Sequence, residues 1–102
     1  MRIQQRLAKS VVTLDLNGRL TRNDGFREIK ACVRSLLNME EVSYIDSIGI
    51  GELVSVFITT RNHQGKLKLM HLTDRMRELF DVAKLIHVFE VFDDEAEILR
   101  SF

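Results

Sequence analysis

Proline is absent from this sequence, and cysteine occurs once, at Cys32. With no proline-rich spacer, no low-complexity segment and no repeat, a linker between domains is hard to place. A lone cysteine cannot close an internal disulfide. Without a second one there is no CxxC spacing for a redox or zinc site, so Cys32 reads as a small apolar residue. His63, His71 and His87 do not have the i, i+4 spacing of a helical metal pair and read as solvated or strand-edge histidines. No metal and no cofactor is expected.

An excess of one charge is missing too. Lys+Arg and Asp+Glu both number 15, which leaves no basic surplus to hold a phosphate backbone, and nucleic acid is not an expected partner. Apolar runs stay far below the roughly 20 residues that cross a bilayer, and the start MRIQQRLAKS has no apolar signal core. No membrane contact is expected, and the expected setting is the cytoplasm.

What is present is a core. Of 102 residues, 45% are hydrophobic, enough for one compact domain over 1–102 and too few residues for two. Residues 2–7 and 11–16 read as a hairpin with Lys9 and Ser10 in its turn; Val12, Leu14 and Leu16 share one face, and Asn17-Gly18 ends the second strand. Over 23–37, Phe26, Ile29, Ala31, Val33, Leu36 and Leu37 fit either one helix or a short helix followed by a strand. After an acidic turn at Glu40-Glu41, residues 42–45 form a short buried strand. Ile50, Leu53, Val54, Phe57 and Ile58 then recur at helical spacing up to His63, with Gly65 placed to stop the helix.

KLKLMH (66–71) alternates as a strand. Thr73 caps a helix that turns Met76, Leu79, Phe80 and Ala83 inward, HVFEV (87–91) gives another strand, and Asp93 caps a last helix with Asp94 and Glu95 in its first turn. This alternation predicts an α/β fold, a partly parallel sheet with helices packed on it.

The chemistry concentrates in VSYIDSIGIG (42–51), where Asp46-Ser47 falls at the junction of a strand and a helix. A plain N-cap accounts for Asp46 or Ser47. It accounts less well for Gly49 and Gly51, since glycine in a first helical turn costs about 1 kcal/mol relative to alanine. Glycines let backbone or a partner come close, and free N–H groups at a helix start suit an anion, so a phosphate on Ser47 would be well held. A phosphoserine adds about −1.5 to −2 charges beside Asp46, and a docked surface would then be repelled. A catalytic serine is disfavoured because no GxSxG elbow surrounds Ser47, and GIG is too short for a phosphate-binding loop.

The stretch VSYIDSIGIGELV (42–54), with GRLT (18–21), NMEEVSYID (38–46), GKLKLMHLTDRMRELFDVAKL (65–85) and FEVFDDEAEILRSF (89–102), resembles the bacterial STAS-domain family of anti-sigma factor antagonists. The resemblance implies a STAS fold with a mixed sheet of four to five strands. It also implies a non-enzymatic module that binds an anti-sigma factor, itself a serine kinase of the GHKL type, and so frees a sigma factor. The kinase phosphorylates the serine after the aspartate, here Ser47, and a phosphatase reverses the mark. The implied partner face comprises Asp46, Ser47, Ile48, Gly49 and Gly51, with Glu52, Ser55 and Thr59 as exposed helix positions. Ile48 stands where the family often carries a second Ser or Thr.

The interval from Gly18 to Asn38 is short for this fold. Keeping the central strand, over 33–39, and shortening the first helix to 24–31 avoids a row of unpaired backbone groups. The thinner layer leads to a secondary expectation of a homodimer covering exposed sheet surface. Two other readings stand beside the switch: a permanent or transport-associated STAS scaffold, in which Ser47 only caps, and a small hydrolase.

Overall fold

A computed structural model describes residues 2–8, 10–21, 34–85 and 88–101. In chain order the elements are β1 (Arg2–Ala8), β2 (Val11–Leu20), β3 (Arg34–Ile45), α1 (Ser47–Asn62), β4 (Lys66–Met70), α2 (Asp74–Val82), β5 (Glu90–Phe92) and α3 (Glu95–Ser101). The strands make one five-stranded sheet in the order β1-β2-β3-β4-β5. β1 runs antiparallel to β2 as a hairpin, and the remaining pairs are parallel, as expected of a mixed sheet carrying helices.

Side-chain alternation divides the interior between the two faces of the sheet. On one face Leu14, Leu16, Leu37, Met39 and Leu69 pack with Leu53 and Val56 of α1 and Met76 and Phe80 of α2. On the other, Val11, Leu36 and Met70 meet Ile98 of α3. Leu36 and Leu37 are neighbours in sequence and belong to different cores. This is why a run that looks simply apolar belongs to a central strand buried on both sides.

Several expectations are corrected. Glu40-Glu41 is not a turn: both residues lie within β3, which runs unbroken from Arg34 to Ile45 and joins the two strands expected at 33–39 and 42–45. Asn17-Gly18 likewise does not end β2, which continues to Leu20. The reason is the same in both strands. Pairing steps from Asp15↔Asn38 to Asn17↔Glu41 and from Gly18↔Val42 to Arg19↔Tyr44, so β3 gains one residue on β2 twice, and Gly18 takes φ 113 beside the second irregularity. The chain absorbs its turn-forming residues as bulges. The helix expected at 24–31 lies outside the described residues, as do Lys9, Cys32, Val33 and His87.

The helix ends also differ in detail. α1 is capped at His63, and the left-handed residue after it is Gln64 at φ 63, not Gly65. Gln64 N–H donates to Arg61 O and Gly65 N–H to Thr60 O, which together close a Schellman turn. α2 ends the same way with Lys84 at φ 59, and Ala83, expected inside, is exposed at the cap. At α3 the capping residue is Asp94, whose side chain accepts from Ala96 N–H, while Asp93 pairs with Arg77 at 2.7 Å.

Polar contacts hold α3 to the sheet. Arg6 on β1 donates to both oxygens of Asp15 on β2 and to Glu95 at the start of α3, and Asn38 donates to Asp15 from β3. The hydrogen bond from Arg6 holds the Asp15 carboxyl below its ordinary pKa, Asn38 assists, and partial burial opposes them. The same two carboxylates raise Arg6 further above its already high value. At the far end Lys68, buried on β4, donates to the carbonyl and hydroxyl oxygens of Ser101, a cation placed at a helix C-terminus where the dipole favours it.

Candidate functional site

The site is built where β3 passes into α1. Val42 and Ile45 are buried at the end of β3 and fix the exit of the chain. Asp46 is extended, with φ −121 and ψ −175, and its carboxylate accepts the Gly49 N–H at 2.8 Å. Its carbonyl accepts from Ile50 N–H at 2.9 Å. Asp46 is therefore the N-cap, and capping makes no demand on the Ser47 hydroxyl. Ser47 is the first helical residue and is exposed. Helical geometry leaves the N–H groups of Ser47 and Ile48 without intrahelical acceptors, so the positive end of the dipole opens beside the serine.

The two glycines have opposite roles. Gly49 is buried, and a Cβ there would lie 2.0 Å from the carbonyl oxygen of Leu20 and 3.2 Å from Ile45. Its closeness is internal: it lets the first turn of α1 rest on the end of β2, and it is not open to a partner as expected. Gly51 is exposed, and a Cβ there would meet nothing within 4 Å. No contact within the described residues accounts for a glycine at that position.

The other expected contact residues divide in the same way. Ser55 and Thr59 are exposed on α1, and Ile48 is 46% exposed. Glu52, expected on the outer face, is only 8% exposed and belongs to the buried side. The buried stripe is Gly49, Glu52, Leu53, Val56 and Thr60, turned away from the apolar count made on the sequence. Ile58, counted there as core, is 41% exposed. The outer face thus presents Ser47, Gly51 and Ser55 one turn apart, flanked by Ile48 and Ile58. Ile58 was missed because apolar residues outnumber the positions this helix buries, so periodicity alone did not separate them.

Among the described residues, no three His, Cys, Asp or Glu side chains come together to hold a metal ion. His63 caps α1 through Nδ1 and Thr59 O at 2.8 Å, and the His71 N–H donates to Phe92 O at the end of β5. No described helix is long and apolar enough to cross a membrane.

Comparison with known proteins places this geometry among relatives. The family model described as the STAS domain matches residues 2–98. An anti-sigma-B factor antagonist of Listeria monocytogenes is 34% identical over 71 residues, a match spanning 70% of this chain but only 62% of that protein. Among solved structures, a putative anti-sigma factor antagonist from Thermotoga maritima superposes with a TM-score of 0.83 at 17% identity, covering 97% of this chain and 92% of that one. The Bacillus cell fate determinant SpoIIAA in its phosphorylated form superposes with a TM-score of 0.71 at 20% identity, covering 99% and 100% of the respective chains.

Proposed function

Because the chain belongs to the STAS-domain family, we propose that it is an anti-sigma factor antagonist switched by phosphorylation of Ser47. In this reading the outer face of α1 docks on an anti-sigma factor that is also a GHKL-type serine kinase, and a sigma factor is released in the cytoplasm. The kinase transfers the γ-phosphoryl group of ATP to Ser47 Oγ, leaving ADP and a proton, and a phosphatase removes it. The domain itself catalyses nothing. The name of the Listeria relative and the phosphorylated form of the SpoIIAA structure support this reading.

The observation that carries it is the pairing of exposed Ser47 with Gly51, a helical glycine facing open space. Since Asp46 does the capping, the hydroxyl is left for other chemistry. A glycine one turn on lets a partner backbone approach the serine closely. Phosphate at Ser47 then places about −1.5 to −2 charges at that contact, with the Asp46 carboxylate beside it. Desolvating such a charge in an interface without a partner for it costs several kcal/mol, on the order of a hundredfold or more in affinity.

The test is incubation with the anti-sigma kinase and ATP, followed by mapping of the modified residue by mass spectrometry. One phosphate on Ser47, lost in Ser47→Ala, is expected, because Ile48 leaves no adjacent hydroxyl. Ser47→Asp should weaken kinase binding by about tenfold, one carboxylate being a poor copy of a dianion. Modification at another residue, or none, would sink the proposal.

A further inference from the structure

Among the described residues β1 pairs only with β2, which makes it an edge of the sheet in the order β1-β2-β3-β4-β5. Edges in monomeric proteins are normally blunted by proline, bulges or unpaired charge. β1 has none of the first two: its seven residues pair with β2 without a register shift. Of its two cations, Arg6 is already engaged by Asp15 and Glu95, and Arg2 stands at the first position of the strand, away from its middle. Beside it Leu7 is 76% exposed, next to half-buried Val12 at the margin of the larger core.

The hairpin sets which backbone groups face outward. Ala8 and Val11 pair across a two-residue turn, and the pair that closes such a hairpin exchanges its hydrogen bonds. By alternation Ala8, Arg6, Gln4 and Arg2 turn their N–H and C=O groups toward β2, so Ile3, Gln5 and Leu7 turn theirs outward. These three also have their side chains on the face of the larger core, opposite Leu16, Leu14 and Val12.

We propose that a second copy of this chain pairs with this edge, antiparallel and centred on Gln5, continuing the sheet across a two-fold axis. In an antiparallel pair, opposed residues share a face, so the possible centres are few. A centre at Gln4 sets Arg2 against Arg6 of the other copy, and a centre at Arg6 sets two arginines together; like charges directly opposite are destabilising. A centre at Gln5 sets Ile3 against Leu7 twice, Gln4 against Arg6 twice, and Gln5 against itself. That register buries the exposed leucine of each copy and keeps the arginines apart, as an isologous interface requires. Two seven-residue strands make a narrow contact, in the class below about 1,200 Å², so the dimer is concentration-dependent. The edge is distinct from the α1 face and needs no phosphorylation.

Sedimentation equilibrium from micromolar to millimolar concentration tests the proposal on the wild type, Leu7→Lys and Gln5→Pro. The first substitution places a charge opposite the apolar Ile3 of the other copy, and the second removes an outward N–H without removing a bond to β2. Circular dichroism establishes that each variant is folded; Leu7→Lys, at an exposed side chain, gives the reading if Gln5→Pro does not fold. The expected result is a wild-type dimer whose dissociation constant rises by about tenfold or more in the variants. A wild type that remains monomeric throughout, or a dimer that Leu7→Lys leaves unchanged, overturns it.

Discussion

Gly49 and Gly51 are two residues apart and have unrelated reasons to be glycine. Alanine at Gly49 must push the first turn of α1 away from Leu20, an overpacking cost of about 3 kcal/mol. At Gly51 alanine meets nothing within 4 Å and removes a helical glycine, a gain of up to about 1 kcal/mol. Urea denaturation should therefore lower the midpoint for Gly49→Ala and raise it for Gly51→Ala. If Gly51 serves partner approach, the same Gly51→Ala protein should bind the kinase less tightly despite its greater stability. A Gly51→Ala variant that gained stability and kept full affinity would separate the glycine from docking.

At the scale of elements, α1 and α2 stop on the same device and with the wrong residue for it. Gln64 and Lys84 hold φ near 60°, where a side chain crowds the following carbonyl and glycine does not. Gln64→Gly should stabilise the protein by about 0.5–1 kcal/mol, since relief of the crowding exceeds the added freedom of the unfolded chain. Thermal melts would show the rise, and a lower melting temperature would refute it. Helices and strands with strong patterns were legible in the sequence: α1, α2, β4 and the pairing of β1 with β2 stand where period and capping residues put them, although β2 runs on to Leu20. The merged β3 and the full length of β2 were not, because two bulges in their parallel pairing carry Glu40-Glu41 and Asn17-Gly18, which look like turns, through the strands. At the site, Asp46 and Ser47 were legible from the strand-helix junction. The burial of Gly49 was not, since it depends on β2 reaching Leu20 beneath the helix.

For the whole molecule, the pairing of Asp15 with Arg6 contributes a pH dependence to stability in acid. Asp15 has a depressed pKa when folded, so its contribution is present above the ordinary carboxylate value, about 3.9, and is lost as pH falls through the lower folded value. Asp15→Asn removes that dependence. At neutral pH the variant should be the less stable of the two by about 1 kcal/mol, and the gap should narrow below pH about 4. Denaturant midpoints at pH 7 and pH 3 measure this; a gap that stays constant would show that Asp15 does not titrate with unfolding. Arg6 and Glu95 are separated by 89 positions, so one guanidinium ties the first strand to the last helix. During synthesis from the N-terminus, the hairpin partner of Arg6 is available early, whereas its second anion follows 89 positions later. The strands from β1 to β4 can pair before this clasp exists, and it fastens only once α3 has been made and has docked on β1.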